Sequence, residues 1–180
     1  MGGIIPDLRR ESPLSGGKNH LFIARFEVKR LTSGDYNLAM ESGRALNIVL
    51  YSDDSTARSA VVSALGRRVS ADMPEHQIRE FATADALRLY VDSVKPGSLS
   101  PIDLFILDGE ATPEGGMGVA RQLKDEVFDC PPVLLLVARK EDAWLAAWSR
   151  AEASVTHPVD PFTLANTVAD LIRSRSVATL

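Results

Sequence analysis

Ile102-Asp103-Leu104-Phe105-Ile106-Leu107, followed by Asp108-Gly109-Glu110-Ala111-Thr112-Pro113-Glu114-Gly115-Gly116, is the stretch on which the fold turns. Its first half is apolar and β-prone, and its second half is polar and punctuated by Gly and Pro, so a strand ends near Leu107. In open parallel α/β sheets, sites form in the crevice beyond the carboxyl ends of strands. Asp108 stands at such an end. Its carboxylate is a candidate nucleophile, metal ligand or helix cap.

Outward from this strand, β-prone runs and helical periods alternate. Leu46–Tyr51 reads as the first strand. Asp54 or Ser55 caps a helix whose apolar residues Ala57, Ala60, Val61, Ala64 and Leu65 keep the helical period. Gln77–Ala82 alternates like an edge strand. Thr83 caps a helix carrying Ala86, Leu87, Tyr90, Val91 and Val94. Met117–Val127 is helical, with Val119, Ala120, Leu123 and Val127 on one face. Val133–Ala138 is a continuous apolar strand, expected to be buried on both sides. Asp142–Ala151 is helical and Ser154–Thr156 is a short last strand. Asp160 caps a final helix that starts at Pro161 and runs to about Ser174. Five strands alternating with five helices predict a parallel, doubly wound α/β sheet. The expected order is the flavodoxin-like 2-1-3-4-5, which places Asp53 and Asp108 side by side and His157 on the same rim.

Residues 1–44 differ in composition. Gly, Pro and Ser punctuate them, and only Leu21–Leu31 has strand-like or helical content. They are expected to form a flexible extension, with Met40 as an alternative start, ahead of a domain over 45–174 and a tail over 175–180. The full chain has 180 residues, is 45% hydrophobic and 24% charged, and carries a net charge of −4. That balance suits a globular protein and leaves no basic footprint for nucleic acid. The longest apolar run, Val133–Ala138, is far short of the roughly 20 residues of a membrane span. No apolar leader opens the chain. Lone Cys130 rules out an internal disulfide and suits a reducing, cytoplasmic compartment. His20, His76, His157 and Cys130 are spaced too widely for a structural zinc site.

Three stretches in this order resemble a response regulator receiver domain, the module that accepts a phosphoryl group from a histidine kinase. Leu50-Tyr51-Ser52-Asp53-Asp54-Ser55-Thr56-Ala57-Arg58 resembles its acidic-pair turn. Asp103–Asp108, with Gly116 eight residues on, resembles its phosphoacceptor strand. His157-Pro158-Val159-Asp160-Pro161-Phe162-Thr163-Leu164 resembles its Lys-Pro-Phe-Asp-Pro run. The likeness spans Leu46–Arg173. It implies a signalling module rather than an enzyme, with Asp108 as phosphoacceptor and a cis bond before Pro158. No cofactor is firmly implied. A weak Mg²⁺ site would draw on Asp53, Asp108 and the backbone carbonyl of Glu110.

The chain departs from the family's pattern where the reaction is most demanding. Ser52 replaces the first carboxylate of the acidic pair, and the register of Asp54 points it elsewhere. Val137 stands where the family has a Ser or Thr that hydrogen-bonds the phosphoryl group. His157 takes the place of the lysine that balances its charge. Ser154 is the nearest match to the switch aromatic, the stretch from Ala151 to His157 is about two residues short, and Pro113 follows Asp108 by five residues instead of four. The expectation is therefore an atypical, stand-alone receiver that signals by protein contact. The alternatives are a phosphorylation-competent single-domain regulator and another flavodoxin-like protein of unknown activity. The expected partner is a histidine kinase, another regulator or a second copy of the chain, without nucleic acid or membrane insertion.

Bland readings stand beside these. Asp108 could be a backbone cap, Asp53 a loop carboxylate, and His157 a filler of the lysine's space or a pH sensor. Arg139, Lys140, Glu141 and Asp142 read as a solvated helix start. Trp144 and Trp148 share a face at i, i+4. They are either core or the centre of an interface formed by the fourth helix, fifth strand and fifth helix.

Overall fold

A computed structural model describes residues 44–94 and 101–178. The expected extension, including Leu21–Leu31 and Met40, lies outside the described residues, apart from Arg44. Five parallel strands, β1 (Leu46–Tyr51), β2 (His76–Phe81), β3 (Leu104–Asp108), β4 (Val133–Val137) and β5 (Ala153–Thr156), form one sheet in the order 2-1-3-4-5. The helices are α1 (Ser55–Leu65), α2 (Ala84–Ser93), α3 (Gly116–Glu126), α4 (Ala143–Trp148) and α5 (Pro161–Ala178).

The sheet is a wall between two cores. Strand side chains alternate between faces, so Leu46, Ile48 and Leu50 pack with Val61 and Leu65 of α1 and Leu164, Val168 and Ile172 of α5. Val49 and Tyr51 face the other way, with Leu87 of α2, Val119 and Leu123 of α3 and Ala146 of α4. Strands β1, β3 and β4 are buried along their whole length, as continuous apolar runs covered on both faces should be. The edge strand β2 alternates, with Gln77, Arg79 and Glu80 exposed.

The capping signals act as expected. Asp54 Oδ1 accepts the Thr56 N–H at 2.7 Å, Thr83 Oγ1 accepts from Ala86 at 3.3 Å, and Asp160 Oδ2 accepts from Thr163 at 2.7 Å. Several boundaries differ from the sequence reading. Strand β3 begins at Leu104 and includes Asp108, because Ile102 and Asp103 lead into the ladder: Asp103 N–H still reaches the Asn47 carbonyl at 2.9 Å. Helix α4 is shorter than expected: Asp142 belongs to a 3-10 turn over Lys140–Asp142, and the helix stops at Trp148, two residues before Arg150 at φ 61°. Helix α5 continues to Ala178, past the expected end at Ser174, and Arg175 on this added turn ties to Asp129. Ala60 and Ala86 are exposed rather than inward.

Candidate functional site at the carboxyl ends of β1 and β3

Strands β1 and β3 are direct neighbours, with Tyr51 paired to Leu107. Their next residues, Ser52 and Asp108, therefore meet. Asp108 is buried, and its Oδ2 accepts the Ser52 hydroxyl at 2.6 Å. That is the length of a strong hydroxyl–carboxylate bond. The other oxygen, Oδ1, accepts the Glu110 N–H at 3.0 Å. His157 Nε2 stands 3.5 Å from the same oxygen. Asp108, Ser52 and His157 thus converge as the topology requires. Glu110 contributes its backbone here while its residue faces solvent.

Asp53 is exposed and turns to the loop after β3, where its Oδ2 accepts the Thr112 hydroxyl at 2.8 Å. That bond draws its carboxyl below the ordinary aspartate range. Asp54 is occupied as the cap of α1. Arg58 on α1 braces the turn from below, donating to the carbonyls of Ser52 at 2.7 Å and Asp53 at 3.3 Å and pairing with Glu80.

On the far side of the site, Val137 closes β4 with a buried apolar side chain, and its carbonyl accepts the His157 N–H at 2.9 Å. The His157–Pro158 bond is cis, as the resemblance implies, and so is Thr112–Pro113. The β3–α3 loop is held from several sides. Buried Tyr51 donates its hydroxyl to the Glu114 carbonyl at 2.6 Å, and the Glu114 carboxylate pairs with Arg88 of α2. Burial and the nearby Asp53 carboxylate raise the Tyr51 phenol above its usual range. Sequence reasoning missed Thr112, Arg88 and the Tyr51 tie. Only Tyr51 left a signal: a buried phenol must find a partner for its hydroxyl.

Mg²⁺ asks for oxygen ligands in near-octahedral array, usually including one or two carboxylates. Here the two carboxylates of the rim turn to hydroxyl donors, Asp108 to Ser52 and Asp53 to Thr112. Among the described residues, no three His, Cys, Asp or Glu side chains gather closely enough to hold a metal ion.

Two uncharacterized response regulatory proteins of Mycobacterium tuberculosis, from strains CDC 1551 and H37Rv, are each 50% identical to this chain over 134 residues, which is 74% of the chain and 96% of each relative. The chain belongs to the response regulator family. No family model matches it. Its fold is that of receiver domains. The chemotaxis response regulator CheY4 of Vibrio cholerae superposes with a TM-score of 0.58 at 15% identity, covering 71% of this chain and 99% of that one. The response regulatory domain of mrkE from Klebsiella pneumoniae gives 0.59 at 15%, covering 73% and 99%. In this response regulator, then, the module serves two-component signalling. No helix among the described residues is long and apolar enough to cross a membrane.

Trp144 and Trp148 lie outside this site on α4. Both are exposed, at 67% and 55%, while Ala146 between them packs into the core. The core reading of the two tryptophans is therefore set aside.

Proposed function

We propose that this receiver domain signals through protein contact, with Asp108 serving as a structural hub and not as a metal-dependent phosphoacceptor. The Ser52–Asp108 hydrogen bond carries the reading. A phosphoryl group and a carboxylate are both anions, and their approach needs positive charge held in place. Ser52 in place of a carboxylate removes a metal ligand and instead satisfies Asp108 internally. Val137 offers no hydrogen bond to a phosphoryl oxygen. His157 puts an imidazole where the lysine's ammonium, a compact point charge, would stand. Losing the lysine charge and the hydroxyl removes two charge-assisted bonds of roughly 1.5–3 kcal/mol each. The contact surface is placed on α4, β5 and α5, centred on Trp144 and Trp148, because exposed Trp is enriched among residues that dominate binding.

One observation favours a second reading, acceptance of phosphate at Asp108 from a histidine kinase: Asp108, Asp53 and His157 still share one rim. Incubation with acetyl phosphate and Mg²⁺ followed by intact-mass measurement separates the two. Little or no mass gain is expected. A substantial gain that vanishes in Asp108→Asn would overturn the proposal.

A further inference from the structure

The aromatic stripe of α4 is dressed from α3. Arg121 places its guanidinium carbon 5.9 Å from the Trp148 ring centroid and donates to the Trp148 carbonyl at 3.2 Å. Its Nε also pairs with Asp125 Oδ2 at 3.0 Å, while Arg150, just past α4, takes Asp125 Oδ1 at 2.8 Å. Both oxygens of Asp125 are thus engaged, and so is the Trp148 carbonyl. What Trp148, Arg121 and Arg150 still offer outward is donors, since indole and guanidinium carry N–H groups and no acceptor. Arg121 and Arg150 share the single carboxylate of Asp125, and beside them Lys124 and Glu152 pair with each other, so one positive charge is left over.

Arg150 adds an independent observation. Its φ is 61°, a conformation in which glycine is at home and other residues cost roughly 1–2 kcal/mol. A guanidinium sits where the backbone favours glycine. A non-glycine residue in this region licenses a functional hypothesis, and Asp129, at φ 50°, is the other one among the described residues. Among the described residues the other large exposed apolar side chains lie apart, Leu89 on α2, Phe128 in the turn after α3 and Phe162 on α5. Scattered residues of that kind need no explanation.

We infer that the α3–α4 junction docks an acidic, amphipathic segment of a partner protein. Its apolar side chains lie on Trp144 and Trp148, and its carboxylates meet Arg121 and Arg150 with the negative end over Trp148. This deepens the protein-contact reading above and rests on it. Trp and Arg are the residues most enriched among binding hot spots, and charge complementarity sets partner choice.

The test uses the full chain and two fluorescently labelled helical peptides with the same Leu and Phe stripe, one carrying Glu and the other Lys at every remaining position. Anisotropy titration is expected to show the Glu peptide binding about tenfold more tightly or better, with an advantage that shrinks as salt rises. Arg121→Glu should abolish the preference. Arg150→Gly, which suits the backbone and so keeps the fold, should weaken the Glu peptide alone. Trp148→Ala should weaken both peptides. Equal affinity for the two peptides, no measurable binding of either, or indifference to both arginine changes would overturn the inference. Phosphate uptake at Asp108 would strike the parent reading and leave this result standing, so the two failures are distinguishable.

Discussion

A carboxylate buried at the end of β3 has to be met by donors, and in this chain Ser52 and the Glu110 amide meet it. Ser52→Ala removes the shorter of these bonds and leaves Asp108 Oδ2 facing a methyl group. Removing one partner of a buried charge-assisted bond leaves the other desolvated and unsatisfied, so the expected loss is about 1.5–3 kcal/mol. Urea denaturation of the variant checks it, and an unchanged midpoint would mean that water reaches Asp108. The sequence showed that a carboxylate was missing at position 52. It could not show the serine hydroxyl turning onto Asp108, because that depends on a rotamer and on the register of two strands. Thr112 left no trace at all, since its hydroxyl reaches Asp53 across 59 positions of chain through a loop.

Elements meet most closely where β3 hands over to α3. A Cβ added at Gly116 would lie 2.5 Å from the carbonyl oxygen of Asp108, which is backbone and cannot turn aside. Alanine would improve helix propensity by up to about 1 kcal/mol, but overpacking of this kind typically costs 1–3 kcal/mol. Gly116→Ala is therefore expected to lower stability and to disturb the Asp108 loop, visible as a lower Tm and as amide shifts at Gly109–Gly115. An unchanged Tm would show that α3 can slide away freely. The same scale shows where periodicity stops informing. Strands β1 and β4 are legible because burial on both faces leaves uninterrupted apolar runs. Spacing put Trp144 and Trp148 on one face of α4 without saying which. Ala146 settles it: the small side chain lets the helix approach the core, which turns the two indoles outward.

Across the whole molecule, the alternation of strands and helices with right-handed crossovers left few sheet orders, and the one expected among them, 2-1-3-4-5, is the one found. Global stability has its own lever at the start of β2. Both ring nitrogens of His76 are buried, and among the described residues neither makes a hydrogen bond of good geometry, the Gly66 carbonyl being only a weak partner. Burial pushes its pKa below the ordinary value, against weaker upward pulls from the Gly66 carbonyl and Glu75. The folded state thus prefers the neutral ring. Its stabilisation is complete above the unfolded pKa of about 6.5 and is lost as pH falls below that value. Asp53, Asp72, Glu114 and Asp160 have carboxyls held low, so their contributions persist until far more acidic conditions. Between pH 7.5 and 5.5, roughly the span of histidine titration, the wild type should lose stability and His76→Gln should lose less. Parallel losses in both would place the acid sensitivity elsewhere. The placement of the indoles has a spectroscopic consequence. The chain holds two tryptophans, and both look outward. Its intrinsic emission is therefore that of water-bathed rings whether the chain is folded or not, nearly silent to the collapse of either core. The two indoles of this protein watch its neighbours instead of its interior.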